Sequence, residues 1–109
     1  MVVYRGINLK FPPEVGIGSK FYFREFVSTS KNREVVEPYA YKGTILVITI
    51  KNNGNNRHQN YCLDISHLSQ FKDEEEILIN SHCYYTITNI EHDNEIDIVY
   101  MNCEGYNFN

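Results

Sequence analysis

Three short segments of the sequence carry residues that could act together in catalysis: Tyr-Arg-Gly at 4–6, Ser-Thr-Ser at 28–30 and an acidic run at 73–76. The acidic run leads directly into the apolar residues 77–79, which predicts that it enters a strand. In an extended chain, side chains at i and i+2 point to the same side, so Glu74 and Glu76 would face one cleft while Glu75 points away. Two carboxylates would then serve a single site.

Each segment has an ordinary structural explanation when it is taken alone. An arginine at a strand end is usually a surface residue or an ion-pair partner, and Ser-Thr-Ser is usually a turn with local hydrogen bonds. The acidic run is equally typical of a solvated loop. The three basic residues Lys31, Arg33 and Lys42 likewise indicate a solvated face rather than a phosphate-binding patch.

The composition predicts one sheet-dominated domain. With 109 residues, of which 42% are hydrophobic, the chain suits a single two-layer core. Nine Tyr, six Phe and many β-branched residues favour strands, because such side chains pack well on a pleated surface. The net charge of −4 argues against nucleic acid and anionic membranes as partners, since both reward a basic surface. No apolar run approaches the roughly 20 residues of a membrane helix, so we expect a soluble chain, cytoplasmic or secreted as part of a longer one.

The cysteines do not indicate a metal site. Cys62, Cys83 and Cys103 are far apart in the sequence and include no C-x-x-C pair, so neither zinc binding nor a redox pair is predicted. We expect them to be small buried hydrophobic residues.

The pattern of apolar and turn residues predicts a series of short strands with one short helix. The strands are expected at 2–7, 20–27, 44–51, 62–65, 76–79, 84–90 and 96–101. The run 44–51 is almost continuously apolar, which is typical of a strand buried on both faces. The strand over 20–27 is expected to lead into Ser28-Thr29-Ser30, and a turn should follow, with Ser30 capping a helix over 32–41 that Pro38 weakens. The Asn-rich segment 52–56 and the polar segment 92–95 predict turns.

The order of the three chemical segments carries more information than any one of them. Arginine, then Ser-Thr-Ser, then Glu-x-Glu entering a strand resembles the R-S-E class of arginine-specific mono-ADP-ribosyltransferases, over nearly the whole chain. Asp64-Ile65-Ser66 ahead of Phe71, and the apolar residues 77–79, add to the resemblance. It implies an α+β, sheet-dominated fold: a split sandwich of two small β-sheets with one or two short helices. Residues 1–109 would then be a single catalytic core that lacks the helical segment usually found before the arginine strand.

The resemblance also implies a reaction. NAD+ would be a substrate, without any metal, and the enzyme would break the nicotinamide–ribose bond and transfer ADP-ribose to an arginine of a target protein. Glu76 would be the carboxylate that stabilises the oxocarbenium-like transition state. Glu74 would orient the acceptor guanidinium, and Phe71 would either form an aromatic wall for it or anchor its loop in the core.

The remaining residues of the three segments would bind the dinucleotide. Arg5 would hold the phosphates or the nicotinamide ribose through its planar fork, and Gly6 would let the backbone approach the nicotinamide amide. Ser28 would position Glu76 and the ribose relative to each other by hydrogen bonding. Thr29 and Ser30 would mainly shape the turn, while the aromatic residues Phe26 and Tyr22 would either stack on nicotinamide or belong to the core.

Two rival functions remain open at this point. The first is a binding module with the same fold but little or no turnover. The second is an unrelated small β-barrel of the oligonucleotide-binding kind, against which the acidic charge counts.

Overall fold

A computed structural model describes residues 1–50, 62–65 and 75–106 of the chain. Within these residues there are eight strands and one helix, which confirms the sheet-dominated α+β class. In chain order they are β1 (Val2–Ile7), β2 (Lys20–Phe23), β3 (Val27–Ser30), α1 (Arg33–Ala40), β4 (Thr44–Ile50), β5 (Cys62–Asp64), β6 (Glu76–Ile79), β7 (Cys83–Asp93) and β8 (Ile96–Gly105).

The strands form one mixed sheet in the order β2-β7-β8-β4-β1-β3-β6-β5. Strands β4 and β8 pair in parallel, and the other neighbours pair antiparallel. Strand β1 matches β4 along its full length, from Val2 to Ile7, but it meets β3 at the single pair Tyr4↔Ser30. The sheet therefore consists of two parts, β2-β7-β8-β4-β1 and β3-β6-β5, joined at one point.

Strand β4 lies between β8 and β1 in the larger part and is buried on both faces, as the sequence predicted. Its alternate residues Leu46, Ile48 and Ile50 pack into the larger core, with side chains from β1, β3, β6, β7 and β8. Ile45 and Val47 point to the opposite face and pack against α1. Because successive side chains of a strand point to opposite faces, β4 contributes residues to both cores.

The segment predicted as one strand over 20–27 is two strands. β2 pairs with β7 at one edge of the sheet, whereas β3 pairs with β1 and β6 in the other part. The chain bends between Phe23 and Val27 because the residues before the bend and those after it pair with different strands. Ser28 to Ser30 consequently belong to β3, so Thr29 and Ser30, which were expected to shape a turn, are strand residues.

The helix cap also differs from the prediction. Ser30 is still extended and paired with Tyr4, so it cannot cap α1. Asn32 takes that place, and its side chain accepts a hydrogen bond from the Glu34 amide at 3.0 Å. The Ser30 hydroxyl instead accepts from the Asn32 amide, also at 3.0 Å, and shapes the link between strand and helix.

Strands β7 and β8 are longer than predicted because polar residues continue their ladder. His92 pairs with Asp97, and Asp93 pairs with Ile96, so the predicted turn at 92–95 shrinks to Asn94 and Glu95. Asn94 has a positive φ of 56°, which asparagine tolerates. Farther along the chain, the predicted turn at 52–56 lies outside the described residues.

The three cysteines are all free thiols. Cys83 and Cys103 are fully buried in the larger core, as predicted, and Cys62 is partly buried against it. The hydrogen bond with the Cys103 thiol, together with burial, raises the pKa of Cys83, which keeps it protonated at neutral pH. No helix in the described part of the chain is long and apolar enough to cross a membrane.

Helix α1 packs directly on β1 at Gly6. A Cβ built at Gly6 would collide with the Val36 carbonyl oxygen and would lie 3.0 Å from the Ala40 amide nitrogen. The helix backbone therefore occupies the space that any side chain would need. This contact fixes the distance between α1 and the sheet.

Replacing Gly6 with alanine should therefore lower the free energy of unfolding by about 1–3 kcal/mol, the usual range for overpacking. Urea denaturation followed by circular dichroism measures the change. Gly16→Ala is the matched control, because nothing lies within 4 Å of a Cβ built there. Equal midpoints for the two variants would show that the contact between helix and strand is looser than described.

Candidate active site

The β3–β6 ladder sorts the side chains of both strands onto two faces. Thr29 and Ile77 are opposite one another and buried in the interior. Ser30 pairs with Glu76, and directly opposed residues project to the same side of a sheet. By the same alternation Ser28 shares that side. The face away from the larger core therefore carries two hydroxyls and a carboxylate.

The backbone on both sides of Glu76 is held by its neighbours. The Thr29 hydroxyl donates a buried hydrogen bond of 2.6 Å to the Ile77 carbonyl. The Lys31 amide donates to the Glu75 carbonyl at 3.1 Å, and the Ile65 amide donates to the Glu76 carbonyl at 3.0 Å. Contacts from β3 and from the end of β5 thus fix the position from which the half-buried Glu76 side chain projects.

Arg5 connects the two parts of the sheet just beyond their single point of pairing. Its Nη1 donates a hydrogen bond of 2.8 Å to the backbone carbonyl of Ser28. The other N–H groups of the guanidinium fork are not engaged in that contact. A cation is therefore held at the opening between β1 and β3.

Described residues from each of the three segments singled out in the sequence meet at one cleft of about 380 Å³, which lies between β1, β3 and α1. Its lining includes six of the predicted site residues: Arg5, Gly6, Ser28, Thr29, Ser30 and Glu76. The volume is within the range of ligand pockets in proteins, roughly 300–1,000 Å³. A guanidinium, hydroxyls and a carboxylate thus share one concave surface.

Several predicted residues lie elsewhere. Phe26 lines a second cavity, of about 150 Å³, which shares Arg5 with the cleft. The Tyr22 ring contacts those of Tyr84 and His82, with centroids 4.8 and 5.8 Å apart, and does not line the cleft. Glu74 and Phe71 lie outside the described residues.

The backbone conformation at Glu75 bears on whether Glu74 and Glu76 point to the same side. Glu75 has a positive φ of 45°, so the chain is not extended at this residue. The alternation of side chains at i and i+2 applies only to extended chain. The inference that both carboxylates face one cleft therefore loses its geometric basis, although Glu76 itself lines the cleft.

Sequence reasoning missed the contribution of α1. Val35, Val36 and Tyr39 also line the cleft, and the Tyr39 side chain is 65% exposed. They belong to the helix predicted over 32–41, but no role at the site was predicted for them. An amphipathic pattern does not distinguish a helix face that fills a core from one that borders a cleft.

Comparison with known proteins assigns the family. The model of the ADP-ribosyltransferase exoenzyme family matches residues 2–104. This chain belongs to that family. A search of curated protein sequences returned no match.

Solved structures of ADP-ribosyltransferases share the fold of this family member. The Vis toxin of Vibrio splendidus, solved with agmatine, superposes with a TM-score of 0.74 at 19% identity, covering 94% of this chain and 48% of Vis. HopU1 of Pseudomonas syringae gives a TM-score of 0.70 at 20% identity, with coverage of 94% and 44%. Exoenzyme S of Pseudomonas aeruginosa, solved with human 14-3-3 protein beta and Carba-NAD, gives 0.68 at 19%, with coverage of 94% and 47%. The chain thus spans about half the length of these solved relatives.

The Thr29 hydroxyl is expected to contribute to stability through its buried bond to β6. Thr29→Val removes that donor while keeping the side-chain shape, and should lower the free energy of unfolding by about 1 kcal/mol. Thr29→Ser keeps the hydroxyl and should retain the hydrogen bond. Urea denaturation of both variants measures the difference, and a Thr29→Val midpoint equal to that of the wild type would show that the bond contributes nothing net.

Proposed function

We propose that this chain is the catalytic core of a mono-ADP-ribosyltransferase that cleaves NAD+ and transfers ADP-ribose to an arginine of a target protein. The observation that carries the proposal is that Arg5, Ser28 and Glu76 line one cleft although they are far apart in the sequence. Each of these residue types matches a different part of the dinucleotide. Membership of the family indicates the class of reaction, and the cleft is where we propose that the reaction takes place.

The chemistry proposed for Glu76 follows from the charge that develops during cleavage. Nicotinamide is a good leaving group because it is positively charged in NAD+ and departs neutral. As the bond lengthens, positive charge moves onto the ribose, as in glycoside hydrolysis. A carboxylate fixed by β3 and β5 beside that sugar stabilises the transition state more than the ground state. Glu76 is half-buried, so its charge is less screened by water than at an open surface.

Arg5 and Ser28 are proposed to hold the substrate in place. The Arg5 guanidinium is already oriented by the Ser28 carbonyl, and its other N–H donors suit the diphosphate. The Ser28 side chain is exposed on the cleft, where its hydroxyl can bond to the ribose or to Glu76. Gly6 contributes backbone to the same wall.

The arginine acceptor is supported by a relative. Vis was solved with agmatine, a small guanidine compound, so one protein of this fold binds the chemical group in question. In the present chain, Glu74 is proposed to orient the incoming guanidinium through bidentate hydrogen bonds.

Glu76→Gln should lower nicotinamide release from NAD+ by on the order of 10²-fold or more, because it removes the charge that opposes the oxocarbenium-like state. The assay uses NAD+ with agmatine as acceptor. Glu14→Gln removes the same charge from an exposed loop outside the cleft and should leave the rate unchanged. NAD+ binding without turnover by the wild type would favour the alternative, a binding module of this fold.

Glu74→Gln should separate the two possible acceptors. Transfer to agmatine should fall by on the order of 10²-fold, while hydrolysis of NAD+ by water should continue, because only the guanidinium loses its orienting carboxylate. Chromatography of the products distinguishes ADP-ribosyl-agmatine from free ADP-ribose. Parallel loss of both products in a folded variant would contradict the separate role of Glu74.

A further inference from the structure

One residue at the entrance to β6 has a backbone conformation that its side chain disfavours. Among the described residues, Glu75 is one of four that are not glycine and have a positive φ, which is 45° at this residue. A side chain disfavours this left-handed region because its Cβ comes too close to the backbone, and asparagine tolerates the conformation best. Such strain persists only where the surrounding structure maintains it.

The other three of these residues lie where a left-handed conformation is ordinary. Lys42 follows the last turn of α1, and helices commonly end in this way. His82 and Asn94 lie in the turns that lead into β7 and β8, and tight turns often need a positive φ. Glu75 instead precedes a strand directly, and of the four it alone adjoins a residue that lines the cleft.

The backbone beside Glu75 is held by neighbouring strands. The Glu75 carbonyl accepts a hydrogen bond from the Lys31 amide at 3.1 Å, and the Glu76 carbonyl accepts one from the Ile65 amide at 3.0 Å. The register pair Ser30↔Glu76 begins the β3–β6 ladder at the same point. The Glu75 side chain is exposed and does not line the cleft, so any effect of this residue on the site acts through its backbone.

We propose that Glu75 is a positioning residue, whose left-handed backbone fixes the direction in which the Glu76 side chain enters the cleft. This inference rests on the proposed function. The positive φ lets the chain change direction at Glu75 while the peptide that links it to Glu76 keeps its hydrogen bond to Lys31. With a negative φ, the chain on one side of Glu75 would have to move.

A residue with a side chain suits this role better than glycine does. Its left-handed region is narrow, whereas glycine moves freely between positive and negative φ. Glu75 therefore defines the entry into β6 more closely than a glycine would. A catalytic group displaced by about 1 Å can lose on the order of 10²-fold in rate. A closely defined entry should consequently matter more for turnover than for substrate binding.

Glu75→Val and Glu75→Asn test the assignment, because a β-branched residue disfavours a positive φ and asparagine tolerates it. Hydrolysis of NAD+ by water, followed as nicotinamide release, gives kcat and KM without an acceptor. Glu75→Val should lower kcat by at least about tenfold and keep KM for NAD+ within about twofold, because Arg5 and Ser28 are unchanged. Glu75→Asn should keep kcat within about twofold of the wild type.

His82→Val is the matched control, because it places the same strain at an exposed residue that does not line the cleft. It should lower the urea midpoint and leave kcat of the folded protein unchanged. A kcat of the wild type in Glu75→Val, or an equal fall in kcat in Glu75→Asn or His82→Val, would overturn the inference. A wild type that releases no nicotinamide would overturn the proposed function, and this inference with it.

Two further measurements keep the test decisive if Glu75→Val does not fold. Glu75→Gly permits a positive φ without strain but loosens the backbone, so it should fold and lower kcat by about threefold or more. Amide exchange at Lys31, measured by NMR, should be faster in Glu75→Gly than in Glu75→Asn, because the bond to the Glu75 carbonyl opens more often. Wild-type kcat and wild-type exchange in Glu75→Gly would contradict the positioning role.

Discussion

The site depends on one constraint in the sheet: β1 and β3 share a single register pair, Tyr4↔Ser30, and then separate. A fully paired ladder would close the space between them and satisfy the backbone with strand hydrogen bonds. Instead, the Arg5 guanidinium reaches across and bonds to the Ser28 carbonyl. This hydrogen bond spans the opening and places a positive charge at its edge. Residues from both strands line the cleft beside this separation.

Within the three segments, neighbouring residues have different places: some pack in the interior, and others line the cleft. Thr29 faces the interior and bonds to β6, while its neighbours on either side line the cleft face. Gly6 makes room for α1, while Arg5 beside it bridges to β3. A strand has two faces, so neighbouring residues in a short motif naturally divide between core and site. Substitutions within one motif should therefore have different consequences, some for folding and others for ligand binding.

Much of the fold and the site could be predicted from the sequence, where the signal is local or depends on a known order of motifs. The apolar run of β4 predicted a strand buried on both faces, and the order of the motifs predicted that Arg5, Ser28 and Glu76 share one site. Other features depend on long-range pairing, which no local pattern encodes. The division of 20–27 into β2 and β3 is set by different partner strands, and the positive φ of Glu75 breaks an alternation that the sequence alone suggested.

The most direct test of the central claim is a crystal structure of the chain with a non-cleavable NAD+ analogue bound. The account predicts that a Glu76 carboxylate oxygen lies within hydrogen-bond distance of a hydroxyl of the nicotinamide ribose, with the diphosphate against the Arg5 guanidinium. An analogue bound on another surface, or bound with its ribose away from Glu76, would contradict it.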